Sequence, residues 1–342
     1  MKKHILSVLI ILSLTSCSDK NRLFKEFQSR KPEIKKYIQK GPVNPSNAKF
    51  TFFQNSLYWI DYRQNEFLFS KDISQLTTDK INRHNILKGQ GPDEYMMVLF
   101  LRQYNNYLSF TDSYKGTLSF FNKDTLYKEL QLIEFTPASI QGIVKMNNNR
   151  YLYSGYLNNS RFVLIDSLQN LLSEFSKFPE KIDQMKYKII EKNMACQNLF
   201  TNNKNNFANI VYDSGIIEFF SIVKDSIIKK KETVYSEYNF SMLYENNATR
   251  VSNSKSNTGF IDICSDETNV YALFSSVSWE DNVDLAYFGD YILVYSWAGE
   301  PKLALKLDIP IRGFSAVPGS DRFWGWGNDA EGIYFTEISY TL

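Results

Sequence analysis

The sequence predicts an all-β chain, a six-bladed β-propeller with a short helical insertion. Three observations carry that prediction. Aromatic residues make up 15% of the 342-residue chain, a bias that suits pleated, half-buried strands better than helical bundles. From residue 49 onward, short apolar runs with period-two alternation are separated by Asn, Asp, Gly, Ser and Lys, the pattern of strands joined by tight turns. The runs also recur as a unit: an apolar run, a hairpin, a third run closing on Asp or a small polar residue, and often a fourth run.

The first unit pairs residues 57–61 with 67–72, the second 107–112 with 118–124, and the third 151–153 with 162–166. The fourth pairs 207–213 with 216–225, the fifth 270–274 with 291–297, and the sixth 322–326 with 333–338. Fourth runs follow at 126–132, 227–232 and 302–307. Four short strands recurring every ~40–50 residues mark a propeller blade. Radial closure also avoids the long exposed edges of an open sheet with this many strands. A pair of β-sandwiches joined by a linker is the competing fold. The last unit lacks an outer strand, and residues 35–39 are the candidate to supply it. Three segments interrupt the repeat. Residues 178–194 set Ile182, Met185, Ile189, Ile190 and Met194 at helical spacing, which predicts one amphipathic helix with its apolar side on the propeller. Residues 236–257, rich in Asn and Ser, read as a long loop, and 277–289 as an acidic loop carrying Trp279.

The N-terminus begins with Lys2 and Lys3, continues through an apolar run over 5–14, and reaches Thr15, Ser16 and Cys17. A basic start, a short apolar stretch and small residues make a secretory signal peptide; a bilayer span takes roughly 20 apolar residues. The sequence Leu14-Thr15-Ser16-Cys17 resembles a bacterial lipobox, which implies cleavage before Cys17 and its acylation. The expected organisation is a lipoprotein signal peptide over 1–16, a lipidated Cys17 with a polar tether over 17–47, and the propeller over 48–342. Acyl chains contribute roughly 0.8 kcal/mol per buried CH₂, so a multiply acylated Cys17 holds the chain to a membrane. The expected location is the bacterial outer membrane, facing the periplasm or the cell surface. Net charge is +2 and falls close to zero once Lys2 and Lys3 leave with the signal, which excludes the basic footprint of a nucleic-acid binder. Of the remaining cysteines, Cys196 and Cys264, free thiols are the expectation and a disulfide the alternative.

Catalytic constellations lack parts. Past the signal the chain has one histidine, His84, expected at the surface, and no Gly-x-Ser-x-Gly elbow, so neither a Ser-His-Asp triad nor a His/Cys zinc site is supported. Carboxylates are plentiful, and a calcium-dependent hydrolase or lactonase with acids around the channel is the alternative function. The strand-end acids Asp61, Asp112, Asp124, Asp166 and Asp225 recur about once per unit, as expected of Asx-turns rather than metal ligands. Trp324 and Trp326 share one face of a strand and are expected to pack between blades; Trp279, in its acidic loop, is a candidate contact residue.

The densest glycine, proline and acid cluster is Leu87-Lys88-Gly89-Gln90-Gly91-Pro92-Asp93-Glu94-Tyr95. A phosphate cradle is excluded: a third glycine is missing, Pro92 lacks a donor, and two adjacent carboxylates repel phosphate. The stretch Gly89 to Tyr95 resembles the G-x-G-P-x-E-[FY] motif of the TolB-like six-bladed propeller lipoproteins common in Bacteroidetes. The resemblance implies a fold and an envelope location more than a function. The heptad is read as a crossover between blades, with Gly89 and Gly91 permitting unusual dihedrals and Tyr95 pinned in the core. Gln90, Asp93 and Glu94 join Trp279 as candidate binding residues. The expected role is a non-catalytic binding or scaffold module for an envelope protein, a peptide or a glycan, without a cofactor; calcium belongs to the alternative.

Overall fold

Six blades, five of four strands and one of five, form a ring in chain order, and the N-terminal segment closes it. The computed structural model describes residues 24–39, 45, 49–122, 125–133, 140–155, 160–236, 241–245, 248–252, 259–278 and 280–340. The chain enters through β1 (Gln28–Arg30) and β2 (Glu33–Ile38) on the rim. Blade 1 holds β3 (Phe50–Phe53), β4 (Ser56–Ile60), β5 (Glu66–Asp72) and β6 (Asn82–Leu87). Blade 2 holds β7 (Val98–Tyr104), β8 (Tyr107–Asp112), β9 (Thr117–Asn122) and β10 (Thr125–Gln131). Blade 3 holds β11 (Ile140–Lys145), β12 (Tyr151–Gly155), β13 (Phe162–Ile165) and β14 (Leu171–Phe175). Blade 4 holds β15 (Asn198–Asn203), β16 (Asn206–Val211), β17 (Ile216–Val223) and β18 (Ser226–Val234). A separate hairpin, β19 (Ser241–Glu245) with β20 (Ala248–Ser252), precedes blade 5. Blade 5 holds β21 (Phe260–Ser265), β22 (Asn269–Phe274), β23 (Gly289–Ser296) and β24 (Pro301–Ile311). Blade 6 holds β25 (Gly313–Ala316), β26 (Arg322–Asp329) and β27 (Gly332–Ser339).

Burial explains why the alternation is clearer in some runs than in others. Middle strands such as β4 and β9 are buried along almost their whole length, because both faces of each blade lie against a neighbour. Outer strands such as β10 and β18 have one solvated side and alternate. Aromatic rings fill the wedges between blades: Phe50 stacks on Phe335 at 5.9 Å between blades 1 and 6, and Phe162 meets Phe207 at 5.1 Å between blades 3 and 4. Trp324 and Trp326 are buried in the first of these wedges, as their shared face predicts.

The missing outer strand of blade 6 is β2, antiparallel to β27 from the Glu33–Ser339 pair to the Ile38–Tyr334 pair. Upstream, β1 adds a fifth strand to blade 5, parallel to β24, and Phe27 beside it packs on Tyr295 at 5.3 Å. Part of the segment expected to be tether is therefore rim. Its signal is weak in sequence because Ile34 and Tyr37 are only half-buried there.

Two other expectations change. The single helix over 178–194 is two helices, α1 (Glu180–Asp183) and α2 (Ile189–Ala195). The Glu191 carboxylate accepts the Lys188 backbone N–H at 2.8 Å, so a local cap restarts the helix where the apolar period alone continues it. The insertion does face the core, with Phe178, Ile182 and Cys196 buried together. The loop over 236–257 contains the β19–β20 hairpin, and β20 lies against α2. A further short helix, α3 (Val283–Ala286), sits between β22 and β23.

Candidate functional site

The ring has two ends. One carries the crossovers from each outer strand to the next inner strand, and the other carries the turns that leave the inner strands. The Gly-Pro-acid heptad is the crossover from β6 to β7, as expected. Tyr95 is buried and its hydroxyl lies 3.0 Å from that of Ser119. The Gly91 N–H donates to the Glu94 carboxylate at 2.8 Å, and Lys115 Nζ donates to the carbonyls of Gly91 and Glu94 at 2.6 and 2.5 Å. Asp112, at the end of β8, accepts from the N–H groups of Met96 and Met97 at 2.8 and 3.2 Å.

The glycines serve a different purpose from the one expected. Neither Gly89 nor Gly91 has a positive φ. A Cβ on Gly89 would fall 2.0 Å from Glu94 Oε2, and one on Gly91 3.0 Å from it. The glycines make room for the inward-turned carboxylate, which is close approach rather than backbone freedom. Gln90 and Asp93 are exposed, and Lys128 Nζ lies 3.8 Å from Asp93.

At the opposite end a cavity of about 550 Å³ opens on the axis, and all six blades line it. Thr51, Gln103, Asn147, Asn202, Thr268 and Ser315 represent blades 1 to 6 in turn. Amides and hydroxyls recur in the lining, beside Lys145, Lys204, Asp266 and Glu267, because the inner strands end in Asn-rich turns whose Asn105 and Asn148 take positive φ, a conformation Asn tolerates better than most residues. Inner strands are stitched beside it by Thr51 to Ser315 and Thr201 to Ser265 hydroxyl pairs at 3.1 and 2.6 Å.

Beneath this mouth an ion pair crosses the axis. Arg102 on β7 donates to Asp262 on β21 at 3.1 Å, and these inner strands belong to blades 2 and 5, three steps apart in a ring of six. Asp262 also accepts the N–H groups of Phe314 and Ile263 at 3.1 and 2.9 Å. Burial still dominates and raises its carboxyl pKa, with Arg102 and the two amides offsetting only part. The preceding turn of β7 is irregular: Phe100 has φ +54 and lies against Gly142 and Phe200 of the next two inner strands. A bulky residue at positive φ is held there by its surroundings.

A second polar constellation lies wholly inside, between blades 3 and 4 and under α1. Arg161 and Glu218, both fully buried, form a two-pronged pair at 3.0 and 2.6 Å. Asn198 accepts from Arg161 at 2.9 Å and donates to Gln141 and Ser154 at 3.0 and 3.1 Å. Neither ion pair was visible in sequence; an Arg inside an otherwise apolar strand start, as at 160–165, is the one available signal.

The other sequence candidates fall as follows. Asp61, Asp112 and Asp166 each accept the N–H two residues on, at 3.1, 3.0 and 2.9 Å, which are Asx-turns. Asp225 instead sits at φ +63 and accepts from Arg150 at 2.8 Å. His84 is not a surface group: it is half-buried, 2.9 Å from the Ser70 hydroxyl and stacked on Tyr58. Cys196 and Cys264 are free and buried. Cys17, Asp124 and Trp279 lie outside the described residues. Among the described residues no three His, Cys, Asp or Glu side chains converge as a metal site would need.

Residues 48–317 match the family described as TolB-like 6-blade propeller-like. Among solved structures, a candidate exported protein of Bacteroides fragilis NCTC 9343 is 12% identical with a TM-score of 0.52, covering 91% of this chain and 95% of that one. The β-propeller domain of Myceliophteria thermophila Cps50 (Swd1) is 8% identical with a TM-score of 0.46, covering 86% and 82%. The N-terminal domain of Nup159 is 11% identical with a TM-score of 0.40, covering 85% and 75%. At 12% identity the likeness to the Bacteroides fragilis protein is one of fold. No curated protein matches the sequence.

Proposed function

The chain belongs to the TolB-like six-bladed propeller family, and on that premise we propose that it is an envelope lipoprotein that binds its ligand without transforming it. Cys17 carries the lipid, the following segment spaces the ring from the membrane, and the propeller presents its axial mouth to a peptide or glycan, free or displayed on an envelope protein. One observation carries this: all six blades converge on a mixed mouth of about 550 Å³ in which amide and hydroxyl side chains stand beside charged and apolar ones. Such a surface hydrogen-bonds neutral polar groups on any side of the axis. Of the strand-end acids that a calcium-dependent hydrolase would use, Asp61, Asp112 and Asp166 are occupied in turns and Asp225 by Arg150. On the crossover end, Gln90 and Asp93 offer a smaller contact, whereas Glu94 is engaged by Gly91.

The test is a glycan and peptide array probed with the detergent-solubilised full-length protein. Saturable binding that disappears in Gln103→Trp, which fills the mouth, is the expected result. Calcium-dependent turnover of the bound ligand overturns the non-catalytic assignment. For the anchor, Cys17→Ser is expected to move the protein from the membrane to the soluble fraction; unchanged membrane retention refutes lipidation at Cys17.

A further inference from the structure

A second cavity, of about 570 Å³, lies between blades 5 and 6 on the crossover side and is lined by Arg312, Phe288, Leu285, Ile309, Tyr334 and Asn328 among others. Arg312 is the single residue between β24 and β25. Its backbone N–H donates to the Trp326 carbonyl at 2.7 Å, and its guanidinium lies 4.6 Å from the Phe288 ring centre. That contact places the guanidinium against the aromatic wall of the cavity. Its Nε, like those of Arg102 and Arg161, is buried without a hydrogen-bond partner, but among the described residues no carboxylate forms an ion pair with the Arg312 guanidinium. Arg63, Arg102, Arg150, Arg161 and Arg322 each have a carboxylate within 2.6 to 3.3 Å; Arg83, over the Phe69 ring at 5.9 Å, has no such ion pair either but is exposed and lies outside this cavity.

A guanidinium beside an aromatic ring and unpaired by a carboxylate suits bidentate contact with a planar anion. The cavity's acids narrow the choice. Asp308 is taken by Lys31 at 2.8 Å and Asp329 by Lys36 at 2.6 Å, but these two with Asp284 still line the space. Three aspartates repel a doubly charged sulfate or phosphate more than a single carboxylate. Leu285, Phe288, Ile309 and Pro310 supply apolar wall. We infer that this cavity binds a monocarboxylate with an apolar body, its carboxylate on Arg312 and its body against Ile309 and Pro310.

Isothermal titration of the full-length protein with sodium phenylacetate is expected to give saturable binding. Arg312→Gln is expected to weaken it by ~10-fold or more, the scale of one charge-assisted hydrogen bond. Phenylacetamide, the same shape without the charge, is expected to bind more weakly by a similar factor, and sulfate is expected not to compete. Arg312→Lys keeps the charge without the fork and is expected to fall between wild type and Arg312→Gln, with an unchanged thermal midpoint as the check on folding. Equal binding of acid and amide, unaltered binding by Arg312→Gln, or no saturation with wild type at millimolar phenylacetate overturns the site. Gln103→Trp is expected to leave phenylacetate binding unchanged, so failure here and failure of the axial mouth are separable.

Discussion

Two buried arginine–carboxylate pairs hold this ring, and they are not equivalent. Between blades 3 and 4, Arg161 grips both oxygens of Glu218, Asn209 adds a donor to the same carboxylate at 3.2 Å, and Lys229 approaches at 3.5 Å. Burial alone would push the Glu218 carboxyl up, yet the charge and hydrogen bonds of Arg161, with Lys229 and Asn209, hold it below its ordinary value. Across the channel, Asp262 receives a single bond from Arg102, and burial wins. The same two charges give opposite shifts because both prongs of Arg161, with Lys229 and Asn209, meet Glu218, whereas Asp262 has one Arg102 bond and two backbone amides. A buried pair is thus a strong clamp only where its polar neighbours finish the job.

The comparison can be broken by substitution. Arg161→Met strands a carboxylate that stays ionised and is expected to cost ~3–5 kcal/mol in urea unfolding. Arg102→Met strands a carboxylate already inclined to take up a proton and is expected to cost ~1–3 kcal/mol. Equal losses would remove the distinction.

The pH profile sharpens the same contrast, with opposite signs. Glu218, with its folded pKa depressed, contributes stability that is present above its unfolded value of about 4.3 and lost as pH falls through the folded value. Asp262, with its folded pKa raised, contributes stability that is present below its unfolded value of about 3.9 and lost as pH rises through the folded value. Urea midpoints measured against pH should therefore show a flatter acid limb in Glu218→Gln. In Asp262→Asn the stability relative to wild type should improve as pH rises above about 4.

Smaller effects are expected away from these pairs. Tyr95→Phe removes only the hydroxyl contact to Ser119 and is expected to cost about 1 kcal/mol, measured in the same assay. The buried Cys196 thiol has its pKa pushed up to about 12 by burial. Neither Cys196 nor Cys264 is expected to react with iodoacetamide in the folded protein at neutral pH, and both are expected to react in urea. Labelling of Cys196 in the native state would show that the α1–α2 cover opens readily.

What the sequence determined by itself is what recurs or acts locally. The blade unit, the Asx-turns at Asp61, Asp112 and Asp166, the inter-blade packing of Trp324 and Trp326, and the crossover role of the heptad all follow from strand period and turn chemistry within a few residues. Even the closing strand at 33–38 was partly legible, since the last unit lacked one. The tertiary structure decided the rest. Arg102 and Asp262 are 160 residues apart, and only ring closure sets them face to face. Glu94 folding onto Gly89, Glu191 restarting a helix at Lys188, and Arg312 left without a carboxylate among the described residues each depend on which groups packing brings within reach. Periodicity records which face of a strand is buried. It carries no record of which polar group will stand opposite, because that is fixed by how six sheets meet around one axis.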